Sequence, residues 1–83
     1  SPIAYTSLGG KKLKIYKATA AFGDFTGKVG EVVKADKELS VKTGDGLLKI
    51  TELQEEGGKK MDAKSFLAGR KIKVGDVLGE KND

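Results

Sequence analysis

Hydrophobic and polar positions alternate through Lys11-Lys12-Leu13-Lys14-Ile15-Tyr16-Lys17. A period of two predicts a half-buried strand over residues 11–21, with Leu13 and Ile15 turned to a core and Lys12, Lys14 and Tyr16 on the opposite face. Gly23-Asp24-Phe25-Thr26-Gly27 is turn chemistry. A second strand is expected over residues 28–35, where Gly30-Glu31 breaks the alternation as a bulge or a close backbone approach. Asp36-Lys37-Glu38 reverses the chain into a third strand, residues 39–43. Gly44-Asp45-Gly46 turns it again into a fourth, residues 47–53, because an Asp-Gly pair between β-rich runs favours a hairpin. In that strand Leu48 and Ile50 fall on one face and Leu47, Thr51 and Leu53 on the other, so apolar contact is expected on both sides.

Residues 54–60 lack apolar side chains and contain Gly57-Gly58, which predicts a mobile loop tipped by Lys59 and Lys60. A short helix over residues 61–69 follows. Asp62 is its expected N-cap, Met61 and Phe66 a hydrophobic staple that puts Phe66 in the core, and Gly69 its left-handed stop. Ile72 to Leu78, broken at Gly75-Asp76, reads as a turn into a last short strand, and Glu80 to Asp83 as a frayed tail. The sum is a mainly β chain with one short helix and no internal repeat. The turn spacings suit a small antiparallel barrel or sandwich, and because unpaired sheet edges invite aggregation a closed or nearly closed arrangement is expected.

A chain of 83 residues fits one domain, and at this size it buries only roughly 60 to 65% of the surface its unfolded form exposes. No His or Cys occurs, which removes the imidazole base, the thiol nucleophile, disulfides and the usual zinc ligands. No apolar run approaches the ~20 residues of a membrane-spanning helix, and the first residues do not read as a signal peptide, so a cytoplasmic setting is expected. Charge is uneven. Residues 1–28 hold five lysines against one acid, residues 29–58 four against seven, and residues 59–83 seven bases against four acids, giving +4, −3 and +3. If the basic ends lie side by side they form one patch for phosphate or another polyanion; the alternative is lysines scattered for solubility.

Gly9-Gly10-Lys11-Lys12 and Gly57-Gly58-Lys59-Lys60 share a string but lack phosphate-loop spacing, so they are read as turns, either solvated or touching phosphates. Glu52, Glu55 and Glu56 match no calcium loop and are read as a solvated acidic stretch, with no metal site. Among the five aromatic residues Tyr16 is the one expected on the basic strand face, as a platform for a base.

From Gly44-Asp-Gly through Leu53-Gln54, Gly58-Lys59-Lys60-Met61, Phe66-Leu67-Ala68-Gly69 and Gly75-Asp76, with Lys11 to Ala18 upstream, the chain resembles the C-terminal domain of the methionyl-tRNA formyltransferase family. Asp62 stands where a Ser or Thr cap is common in that pattern, which preserves capping. The resemblance implies an open Greek-key barrel related to oligonucleotide-binding folds, with residues 1–83 as a single C-terminal domain. It implies an enzyme that moves a formyl group from 10-formyltetrahydrofolate to the methionyl amino group of initiator tRNA in translation initiation. The catalytic residues and the folate would belong to an N-terminal domain, so no catalytic residue, cofactor or metal is expected here. The expected partners are that catalytic domain and the tRNA backbone, the latter held by Lys11, Lys12, Lys14, Lys59, Lys60, Arg70, Lys71 and Lys73 on a monomeric chain. The alternative is an interdomain module of another folate-dependent formyltransferase or formyl hydrolase, with no nucleic acid bound.

Overall fold

The computed structural model describes residues 2–80, so Lys81 to Asp83 of the expected frayed tail lie outside the described residues. Six strands and one helix follow in the order β1 (Ala4–Leu8), β2 (Lys11–Phe22), β3 (Val32–Ala35), β4 (Leu39–Lys42), β5 (Gly46–Glu55), β6 (Lys60–Asp62) and α1 (Ala63–Ala68). All pairings are antiparallel, the sheet runs β1-β2-β5-β4-β3, and β6 pairs with β5 beyond the end of β4. Because β3, β4 and β5 form a meander while β2 returns beside β5, the connectivity is a Greek key.

Two of these strands were not expected from the pattern. Strand β1 exists because Gly9 and Gly10 both take positive φ, 57° and 85°, and Leu8 pairs with Lys11, which makes a two-residue hairpin turn. Strand β6 exists because β5 runs on to Glu55 and the loop shrinks to Glu56–Lys59, with the Gln54 side-chain amide donating to the Gly58 carbonyl at 2.9 Å. The segment read as mobile is therefore strand at both ends, at Gln54, Glu55 and Lys60, and a loop only between them.

The two-faced reading of β5 is also corrected. Ile15 pairs with Leu53, Lys17 with Glu52 and Ala18 with Ile50, so Tyr16 and Thr51 are one extra residue on each strand. That paired irregularity shifts the alternation on both strands together, and Leu13, Ile15, Ile50 and Leu53 all face one core. Each extra residue finds a side-chain bond across the gap: the Thr51 hydroxyl donates to the Lys17 carbonyl at 3.3 Å and the Tyr16 hydroxyl to Gln54 Oε1 at 2.9 Å.

Helix α1 packs Ala63, Phe66 and Leu67 across β5, β6 and β4. Asp62 caps it by accepting from the Ser65 N–H at 2.7 Å, while Met61 packs against the core that holds Phe66. The stop differs from expectation. Gly69 keeps helical angles, with φ −76°, and the left-handed residue is Arg70 at φ 55°.

Closure comes from the last described segment, which forms no strand of its own. Glu31 and Val77 make a single bridge, Leu78 N–H donates to the Gly30 carbonyl at 2.8 Å, and Gly79 N–H donates to the Ser7 carbonyl at 2.9 Å. Residues 77–79 thus lie between the start of β3 and β1, joining the two edges of the sheet. The close approach needs glycine at position 30: its φ is +92° and a Cβ there would sit 2.5 Å from the Leu78 carbonyl oxygen. Gly30→Ala is expected to cost about 1–3 kcal/mol in urea unfolding. Gly44→Ala, with nothing within 4 Å of its Cβ position, is expected to stay within about 0.5 kcal/mol of the parent.

Candidate nucleic-acid interface

Residues directly opposite each other on neighbouring antiparallel strands share a face. Tyr5 lies opposite Lys14, Lys14 opposite Gln54, and Gln54 opposite Lys60, so these four form a row across β1, β2, β5 and β6 on the side away from the core. Ser7 and Lys12 pair beside the row on the same face. The Lys12 ammonium stands 5.3 Å from the centre of the Tyr5 ring, and the Lys60 ammonium 4.7 Å from that of Tyr16. Each contact orients a ring and a charge together.

The eight cations expected at the interface do not form one patch. Lys12, Lys14 and Lys60 occupy the outer face just described. By alternation Lys11 belongs to the side of Leu13 and Glu55, where Lys71 donates to Glu55 Oε1 at 2.8 Å. Lys59 and Lys71 line the same small cleft beside Phe66 and Gly69. Arg70 is exposed after the helix. Lys73 sits apart, held to Asp76 by its ammonium at 2.8 Å and its backbone N–H at 2.9 Å.

Acidic β5 lies between basic β2 and β6, which the charge arithmetic alone could not reveal. Glu52 engages Lys60 at 3.5 Å, and the Glu56 carboxylate accepts from the Lys12 backbone N–H at 3.0 Å. Among the described residues Lys11, Lys12, Lys14, Lys59 and Arg70 form no ion pair, whereas Lys60, Lys71 and Lys73 do. Uncompensated charge on the outer face is therefore concentrated at Lys12 and Lys14. Tyr5 and Gln54 are additions that the sequence reading missed. Tyr5 belongs to β1, which the alternation does not predict, and Gln54 falls in the stretch that the pattern reads as a loop. The available signal was the Gly9-Gly10 pair between Leu8 and Lys11, a hairpin signature.

Four carboxyl groups titrate below their ordinary range because they accept hydrogen bonds, and for Asp36 the donor is the Lys37 backbone N–H. The Lys71 ammonium lowers Glu55, the Lys73 ammonium and backbone N–H lower Asp76, and the Ser65 N–H lowers Asp62.

The family described as formyl transferase, C-terminal domain, matches residues 1–71. A methionyl-tRNA formyltransferase from Carboxydothermus hydrogenoformans is 50% identical over 80 residues, which are 93% of this chain and 25% of that protein. Those from Alkaliphilus metalliredigens and Bacillus subtilis are each 40% identical, over 98% and 99% of this chain and 26% of their own lengths. The chain spans about a quarter of the length of these relatives.

The lowered carboxyl groups fix the sign of an acid effect. A depressed folded-state value gives stability that is complete above the unfolded value, near 4.5 for Glu55, and lost as pH falls through the folded one. Urea unfolding should thus show stability falling as pH drops below about 5, and Lys71→Met should flatten that fall because Glu55 then titrates closer to its unfolded value.

Proposed function

The chain belongs to the formyl transferase C-terminal domain family, and on that footing we propose that it is the tRNA-holding, non-catalytic part of a methionyl-tRNA formyltransferase. The observation that carries the reading is the outer face of β1 and β2, where Lys12 and Lys14 stand unpaired beside an exposed tyrosine. Such a surface offers phosphate contacts, which position a nucleic acid without reading its sequence. The absence of His and Cys leaves the chain without the side chain most often used to shuttle protons and without a thiol nucleophile.

Weak binding suffices for that role. A domain tethered to a catalytic unit raises the local concentration of its ligand there, so a modest affinity converts into frequent productive encounters. In the full enzyme the formyl donor, 10-formyltetrahydrofolate, and the methionyl amine would meet on the catalytic domain while this barrel holds the tRNA body. Glu52 on β5 and Glu56 just beyond its end limit the attraction, because carboxylates beside the lysines repel a phosphate backbone that a wholly basic surface would draw in.

Titration of the chain with tRNA tests the reading. Binding should appear at low ionic strength and weaken with salt, with a log–log slope of about −2 to −4 for a handful of phosphates. Lys14→Gln should lower the slope by about one and weaken different tRNAs alike, whereas Lys73→Gln should leave it unchanged. No binding at low salt would favour the interdomain-module reading, and loss confined to one tRNA species would contradict backbone recognition.

A further inference from the structure

We propose that the outer face of β1, β2, β5 and β6 is a stacking platform for unpaired nucleotides, with Tyr5 and Tyr16 taking base faces while Lys12, Lys14 and Lys60 meet the neighbouring phosphates. The inference rests on the polyanion reading above and narrows it to one class of ligand, an RNA segment outside any duplex.

Three observations carry it. Both rings lie on the cationic face rather than in the core, and Tyr5 is 59% exposed although an aromatic ring gains most from burial. Each ring has a lysine ammonium over it, at 5.3 Å and 4.7 Å, so that charge for a phosphate and a surface for a base are presented as a unit. Beside Tyr5, an open trough of about 460 Å³ runs past Ser7, Gly10, Lys12, Glu56 and Gly79, within the size range that small ligands occupy. Glu56 contributes a negative charge to that trough. Its carboxylate already accepts from the Lys12 N–H, and its remaining acceptor capacity suits a base amino group better than a phosphate.

Spacing selects against a duplex. Tyr16 lies one strand over and two residues along from Tyr5, since Tyr5 pairs with Lys14. At about 4.8 Å between strands and 3.3 Å per residue, the two positions are about 8 Å apart. Stacked nucleotides of a helical strand rise by about 3.4 Å, so the rings match bases that are splayed apart and not a continuous helical stack. Within a duplex, moreover, base faces are covered and unavailable to a flat aromatic surface. Single-stranded binders combine a basic groove with aromatic platforms in this manner.

The test compares oligouridylate with an RNA duplex of equal phosphate number, both titrated onto the 83-residue chain at low salt. Tyr5→Leu should weaken the single strand about fivefold to a hundredfold and change the duplex by less than about twofold. Tyr5→Phe and Tyr16→Phe should retain single-strand binding, because the ring and not the hydroxyl does the stacking. Tyr5 is exposed, so the unfolding midpoint of its variants should match the parent. Equal weakening of both RNAs by Tyr5→Leu, or no weakening of either, would overturn the stacking inference while leaving phosphate contact intact. Failure of the parent chain to bind either RNA would overturn both readings together.

Discussion

The paired irregularity between β2 and β5 is the constraint on which the remaining structure depends. A regular ladder has a strict period of two, so residues 13, 15 and 18 on one strand could not all face the same way, nor could 50 and 53 on the other. One extra residue on each strand, Tyr16 and Thr51, resolves this without disturbing the pairing on either side. The core gains Leu13, Ile15, Ile50 and Leu53, each 5% exposed or less. The same device sharpens local twist, which a six-stranded sheet needs in order to curl. It also places Tyr16 beside Gln54 and under Lys60.

Curling leaves two edges, and the structure closes them with irregular chain. Residues 75–79 satisfy backbone groups of Gly30, of Val32 at the start of β3 and of Ser7 on β1, and Gly30 permits the approach. A full seventh strand would demand extended backbone from residues 72–78, where Gly75 at φ 97° and the Asp76 contacts to Lys73 dictate a turn. The bridge at Glu31 and Val77 is what that turn can reach. Leu78 and Ile72, both buried, anchor the segment from within.

Much of the fold was legible because its punctuation is strong. Gly44-Asp45-Gly46, Asp36-Lys37-Glu38 and the Asp62 cap act through local chemistry that any tertiary context must respect. What was hidden depended on partners distant in sequence. Strand β6 has three residues, too few for their alternation to stand out; it is a strand because β5 extends far enough to pair with it. Alternation alone puts Leu53 on the face opposite Ile50, because the shift that brings both to one core is a property of two strands at once. Gly69 and Arg70 exchanged roles at the helix end since a single residue in left-handed backbone suffices, and Arg70 tolerates it on an exposed surface.

Charge illustrates the same lesson at the surface. Net sums along the chain suggested two basic ends, and Lys12, Lys14 and Lys60 do share a face, yet that face exists only through register. With Lys14 opposite Gln54, a cation faces a neutral amide that in turn holds Tyr16. A slip of one residue would set Lys14 opposite Glu55 or Leu53 and bury or cancel the charge, because side chains change face with every step. Thr51 and Tyr16, bonded across the irregularity, pin that register at its weakest point. The residues that make the core possible are therefore the ones that keep the cations outward, and interface and core are specified by one feature of the sheet.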